Sequence, residues 1–444
     1  MMIKNFEEIP GVINFKRGPH KILIHTLEDF YGSKVRLLFK PIEICRDNWG
    51  INIELEPKRE YYKIVKQTNS VLLVVYVEKC GVLYYLGIQL DSPIIQYMDS
   101  AVFHSACVNI GRRLTEAANG LFRTCHSFFN ESLAKEFVVG DIGRGKYDLS
   151  KVSYLIDMFL GHRSTTFEGK NFSTGLIVTK SLFAFCKSEM FNKNGKFLRL
   201  VRNKMDVDIA DRSKTRFWYL ADGFKTFYLT DFKKTINSMF LYKGNGGDYV
   251  SEMLLKKTLQ GADALFRVNN GRELSIINSD GYEYLHQENT WKFRNYDALK
   301  KCVLGRLPHV LNYYDDLIKY VLYCSKSDTS SIIWIPRDII TIDNYVIIET
   351  KNELTRSALD IKDPDNMPII KRLLSSDGAT VIDANGKIRY FGCIADLSKA
   401  NVGGIKGTGE TAASLLAQNG IAIKISQDGP IKIFIEGEDG YISF

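Results

Sequence analysis

The chain has 444 residues, of which 45% are hydrophobic and 25% charged, so a wholly disordered or collagenous protein is excluded and two or three domains with real cores are expected. Lysine and arginine number 59 against 51 acids, a formal net charge of +8, which permits an anionic partner without requiring one. The charge is uneven: residues 311–444 hold 14 basic and 18 acidic residues, a balance of −4, which leaves +12 for residues 1–310.

The unbroken apolar run 71–77 falls far short of the ~20 residues of a membrane span, so no membrane partner is expected. Glu7 and Glu8 stand where a signal peptide needs apolar residues, which predicts a cytoplasmic protein. Eight cysteines lie far apart without a Cys-x-x-Cys pair, so neither a zinc ribbon nor a disulfide framework is expected. Cys125-His126 reads as a buried thiol beside an incidental histidine.

Residues 1–148 read as an α/β region of unassigned role. Runs 70–77 and 81–90 are rich in valine, leucine and tyrosine and predict a β-hairpin. Residues 98–122 have helical spacing. A strand is expected over 136–139, followed by Gly140-Asp141-Ile142-Gly143-Arg144-Gly145-Lys146. This matches the phosphate-cradling spacing GxxxxGK, but Tyr147 replaces the hydroxyl that would bind magnesium, so a glycine turn before a helix at 149–160 is the favoured reading.

An internal repeat follows. Residues 243–285 and 406–444 both run Lys-Gly-x-Gly, helix, strand, turn, strand, Asp-Gly-Tyr, strand. Upstream, Asp222-Gly223 precedes the first and Asp377-Gly378 the second. Helices at 149–160 and 312–323, followed by strands at 175–179 and 331–336, extend the correspondence. The expected fold is α/β with mixed β-sheets flanked by helices, as two tandem modules at 149–290 and 305–444.

The second module carries the chemistry. Asp377-Gly378-Ala379 leads into strand 380–383, then a turn at 384–387 and a returning strand 388–394. The glycine-rich stretch 403–409 opens a helix over 410–418, which Thr408 could cap through its hydroxyl. Glycines let backbone N–H groups approach a phosphate at a helix start, and Asp377 could hold a divalent cation beside it. Glu410 suits the helix dipole but repels a phosphate there; it could instead take hydrogen bonds from a base or ribose.

On these residues, 311–444 resemble the diadenylate cyclase (DAC) domain, the catalytic module of the DNA-integrity scanning protein and its relatives. The resemblance rests on strand 331–335, the triplet Asp377-Gly378-Ala379, the segment Gly407-Thr408-Gly409-Glu410-Thr411-Ala412-Ala413, and the final hairpin at 421–426 and 430–435. It implies a nucleotide site at Asp377, Gly378, Ala379, Gly407, Thr408, Gly409, Glu410 and Thr411, with Asp377 as the metal candidate. The family's Gly-Thr-Arg-His-Arg-Ala-Ala binds ATP phosphates, yet here Gly409, Glu410 and Thr411 replace its basic triplet, and residues 310–444 contain no histidine. Each lost charge-assisted contact would cost about 1.5–3 kcal/mol, and stabilisation of a leaving pyrophosphate would suffer most.

The pattern is similar to non-catalytic DAC-like sensor domains of bacterial nucleotide signalling, which implies a module that binds a nucleotide or cyclic dinucleotide and passes the signal to a separate effector protein. The first module is more degenerate, with Asp222, Gly223, Gly244 and Gly246 as its candidates. The resemblance also implies a pair of modules around a ligand, as an internal pseudo-dimer or a homodimer. Two alternatives stay open: a divergent metal-dependent cyclase or nucleotidyltransferase using Asp377 and Glu410, and a nucleic-acid or protein interaction surface on the basic front. That front has Lys58-Arg59, Tyr61-Tyr62-Lys63 and the basic stretch 193–204.

Overall fold

The computed structural model describes residues 3–5, 19–40, 43–44, 49, 51, 62–79, 82–118, 132–144, 146–188, 195–199, 205–206, 214–231, 235–243, 252–327, 329–354, 359–399, 407–438 and 440–444. The chain is α/β, and it divides into two compact units. The first holds Met1–Lys243 and Thr258–Asn295; the second holds Gly244–Lys257 and Tyr296–Phe444. Gly244, Gly246, residues 403–406, Lys58, Arg59, Tyr61 and Cys125-His126 lie outside the described residues.

The first unit opens with a short strand, Ile3–Asn5, and α1 (Pro19–Tyr31), followed by β1 (Lys34–Leu38), β2 (Tyr62–Gln67), β3 (Ser70–Lys79) and β4 (Val82–Asp91); these four run in the order β1-β4-β3-β2, and Ile3–Asn5 pairs parallel with β4 in the same sheet. The expected hairpin is β3–β4, paired antiparallel along its whole length. Leu72, Val74 and Tyr85 alternate onto one face and bury Leu38, Ile44 and Trp49. Three helices follow: α2 (His104–Ala118), α3 (Ser132–Gly143) and α4 (Leu149–His162).

The strand expected at 136–139 is instead the middle of α3. Its apolar run Phe137-Val138-Val139 reads as a strand only without neighbours. The glycines that follow serve helix packing. A Cβ on Gly140 would stand 2.0 Å from Ser105 Oγ of α2, and one on Gly143 would stand 2.3 Å from Leu149 Cδ2 of α4. The GxxxxGK spacing therefore marks close helix contacts rather than a loop rising from a strand toward a helix.

The unit's second sheet uses β5 (Thr174–Val178), β6 (Gly195–Arg199), β7 (Thr226–Thr230), β8 (Ser238–Tyr242), β9 (Ala264–Asn269), β10 (Glu273–Asn278), β11 (Tyr282–Gln287) and β12 (Thr290–Asn295). Their order is β12-β11-β10-β9-β5-β7-β8-β6. β5 runs parallel to β7 and antiparallel to β9.

The second unit contains α5 (Tyr296–Arg306), α6 (Tyr314–Lys326), β13 (Ser331–Ile335), β14 (Asn352–Glu353), α7 (Met367–Leu374), β15 (Ala379–Ile382), β16 (Lys387–Cys393), α8 (Thr408–Leu416), β17 (Ile421–Ile425), β18 (Ile431–Ile435) and β19 (Ile442–Ser443). The strand order is β14-β16-β15-β13-β17-β18-β19, with β13 parallel to β15 and antiparallel to β17. This is the order and sense of β6-β8-β7-β5-β9-β10-β11 in the first unit. The registers agree as well: β9 starts opposite the last residue of β5 (Ala264↔Val178), and β17 starts opposite the last residue of β13 (Ile421↔Ile335).

Isoleucine-rich strands account for the burial of this sheet on both faces, each fully buried isoleucine being worth about 1.5–3 kcal/mol. α8 lies on one face. Its small residue Ala413, with Ala417 just past its end, brings it close to Trp334, Val381, Ala422 and Phe434. α6 packs on β17, and α7 packs on β13 and β15. The short helix Glu252–Leu255 belongs to this unit, held by a buried ion pair between Glu252 and Lys326 of α6.

Candidate functional site

Asp377 and Gly378 form the turn between α7 and β15. Gly378 has φ +86, and a Cβ there would stand 2.6 Å from the carbonyl carbon of Gly392, so only glycine fits. Asp377 is exposed, and its Oδ1 accepts the Gly378 N–H at 2.9 Å. Ala379 opens β15 and is 1% exposed, packed in the core beneath α8 rather than facing a ligand.

The helix start differs from the expectation in one detail. Gly407 occupies the cap without a side-chain hydrogen bond, and Thr408, exposed, is the first helical residue rather than the cap. The next residues meet the sheet. Gly409 lies over Lys424 of β17, where a Cβ would stand 2.7 Å from the lysine Cε. Glu410 ion-pairs with Lys432 of β18, and the Lys432 ammonium also lies 4.5 Å from the centre of the Tyr441 ring. Thr411 is nearly buried on the inner side of the helix.

Lys424 and Lys432 are the functional candidates that sequence reasoning missed. The register pairs them directly, Lys424↔Lys432. Their signal was a single lysine inside each of two otherwise apolar strands, Ile-Ala-Ile-Lys-Ile and Ile-Lys-Ile-Phe-Ile. Alternation places both on the α8 face with Ala422 and Phe434. Lys424 Nζ donates to Ser330 Oγ at 2.8 Å and to the Ile425 carbonyl at 2.7 Å. Burial lowers its pKa below the ordinary lysine value. For Lys432 burial is the largest influence and acts in the same direction, but the hydrogen bonds and charges of Glu410 and Tyr441 together outweigh it, and the ammonium ends above the ordinary value.

The register also locates Asp377. β13 and β15 start together (Ile332↔Ala379), and β17 ends beside them (Ser331↔Ile425). Asp377, Ser330, Lys424 and the start of α8 therefore share one end of the sheet. The contacts join Gly409, Glu410, Lys424 and Lys432 into one cluster; Asp377, among the described residues, makes no hydrogen bond or ion pair to it. Among the described residues no group of three His, Cys, Asp or Glu side chains is placed to hold a metal ion.

The first unit's candidates have a local explanation. Asp222 Oδ1 accepts the N–H groups of Phe224, Lys225 and Thr226, each at 2.8 Å, which closes the turn before β7. Gly223 has φ +70, and a Cβ would stand 2.6 Å from the Thr174 carbonyl oxygen. Aligning β5 with β13 puts Arg267 at the position of Lys424 and Ser275 at that of Lys432. Arg267 is 0% exposed, with the Phe224 ring 5.5 Å from its guanidinium carbon. The bulky residue that follows Asp222-Gly223 thus covers the cation.

No helix among the described residues is long and apolar enough to cross a membrane. No protein-family model and no curated protein matches the chain. Among solved structures, the hypothetical membrane spanning protein from Bacillus cereus is similar over 33% of this chain and 75% of its own, at 17% identity and a TM-score of 0.25.

Proposed function

We propose that residues 305–444 are a DAC-like nucleotide-binding sensor module that holds a nucleotide or cyclic dinucleotide without cyclising ATP. The observation that carries this reading is the pair Lys424 and Lys432 beneath the start of α8. Two half-buried ammonium groups beside a helix N-terminus favour a phosphate. They offset part of the positive charge absent from Gly409, Glu410 and Thr411. Glu410 neutralises Lys432, which leaves Lys424 as the stronger phosphate contact.

Binding and catalysis separate on this account. One cation and a helix terminus suffice to hold a phosphate, but transfer needs charge aimed at the leaving pyrophosphate. A divalent cation would arrive with the phosphates and take Asp377 as one ligand. The matching strand order supports reading residues 149–290 as a degenerate copy whose equivalent cation, Arg267, is sealed. Output then falls to a separate effector protein.

Calorimetry of the full chain with ATP, AMP and cyclic diadenylate tests the reading. Binding of at least one is expected, with no diadenylate formed from ATP and manganese. Silence across the panel would remove the sensor; product that disappears in Asp377→Asn would replace it with an enzyme.

A further inference from the structure

A second candidate site lies in the first unit, in a cavity of about 690 Å³ between α2, α3 and the start of α4. α2 and α3 run antiparallel. Asn109 Nδ2 donates to the Glu136 carbonyl at 3.3 Å, Arg113 ion-pairs with Glu136, and Ser105 abuts Gly140. Ser105, Gly140 and Gly143, where the helices close on one another, line the cleft at this end, and Arg112, Ser132 and Lys135 line it further along.

The charge of its walls is mostly positive. Arg112, Lys135 and Arg144 line it, against Glu136 as the carboxylate among the lining residues. Glu136 is engaged twice, by Arg112 at 2.9 Å and by Arg113. Lys135 is paired with Asp157 at 2.7 Å. Arg144 is exposed and makes no ion pair among the described residues. Hydroxyls of Ser132 and Ser153 add polar groups to the wall. Val108 and Leu149, 45% and 52% exposed, supply an apolar surface at the same cleft. Its volume lies within the range of small-ligand sites, about 300–1,000 Å³.

We propose that this cleft binds a small organic anion, whose phosphate, sulfonate or carboxylate group pairs with Arg144 while a ring or short chain lies on Val108 and Leu149. Arg144 is the principal contact, because it is the lining cation whose charge no carboxylate among the described residues takes by ion pairing. Arg112, ion-paired with Glu116 and Glu136, and Lys135, ion-paired with Asp157, stand beside it on the same walls. The proposal is independent of the nucleotide site in the second unit.

The test is a fluorescence titration of the full chain with 1-anilinonaphthalene-8-sulfonate, which joins a fused ring to one negative charge. The uncharged N-phenyl-1-naphthylamine serves as control. Saturable binding of the sulfonate that depends on Arg144 is expected. Affinity should fall tenfold or more in Arg144→Ala and recover in part in Arg144→Lys. Val108→Trp, at a position exposed enough to keep the fold, should fill the cleft and abolish binding. Wild-type affinity in Arg144→Ala, equal binding of the neutral control, or no saturable site would each overturn the proposal.

Discussion

Lys424 and Lys432 stand directly opposite one another across the β17–β18 ladder, and Glu410 ion-pairs with the second of them. Like charges at paired positions are unfavourable without an anion. Glu410 supplies one from the helix, and on the proposed nucleotide reading it stands where a phosphate would meet Lys432. Glu410→Gln should therefore strengthen binding of an anionic nucleotide by roughly tenfold, the scale of one charge-assisted contact. It should also steepen the salt dependence, since two free cations would then meet the ligand. Titrations at two ionic strengths check both. Weaker binding in this variant would mean that Glu410 contacts the ligand directly.

Asp141 makes the first unit sensitive to pH. Burial pushes its carboxyl up to about 7 from an ordinary 3.8, against the hydrogen bonds from Tyr284 and Ser105 and the charge of Arg144, with Asp280 adding to the rise. The folded state holds this proton more tightly than the unfolded chain. Its contribution to stability is complete below about 3.8 and is lost as pH rises through about 7. Asp141→Asn removes the dependence. The variant should gain thermal stability over wild type at pH 8 and show a smaller difference at pH 5. An equal difference at both values would contradict the assignment.

Gly378 is a backbone requirement whatever the ligand. With φ +86 and the Gly392 backbone 2.6 Å from a Cβ, Gly378→Ala should destabilise the protein by about 1–3 kcal/mol or more. Urea unfolding of the second unit is the measurement, and an unchanged midpoint would mean that this turn relaxes freely.

The buried pair Glu252–Lys326, with side chains 0% and 3% exposed, fixes the short helix Glu252–Leu255 in the second unit. Glu252→Gln leaves the Lys326 ammonium buried beside a neutral amide and should cost about 3–5 kcal/mol. Replacing both together, as Glu252→Leu with Lys326→Met, should recover most of that loss. A double variant as unstable as the single would show that packing, not charge, dominates here.

The sequence shows the elements better than their surroundings. Runs rich in apolar and β-branched residues in 70–90, 331–335, 421–425 and 431–435 identify strands, because those patterns depend on residues close along the chain. Residues 136–139 fail for the opposite reason. Phe137-Val138-Val139 is an apolar run with no period of its own, and α2 and α4 decide that it is helical. At the candidate site, Asp377-Gly378 and the start of α8 stand out as motifs. Lys424 and Lys432 do not, because their pairing depends on strand register and their access to Glu410 on how α8 lies across the sheet.

Lys424 is the cation on which the proposed nucleotide site depends most. Cyclic diadenylate and ATP are titrated calorimetrically into the full chain and into Lys424→Ala, with thermal unfolding confirming that the variant folds. At least one nucleotide should bind the wild type, and its affinity should fall about 10- to 150-fold in the variant, the equivalent of one charge-assisted contact of about 1.5–3 kcal/mol. Equal affinity in the two proteins would contradict it.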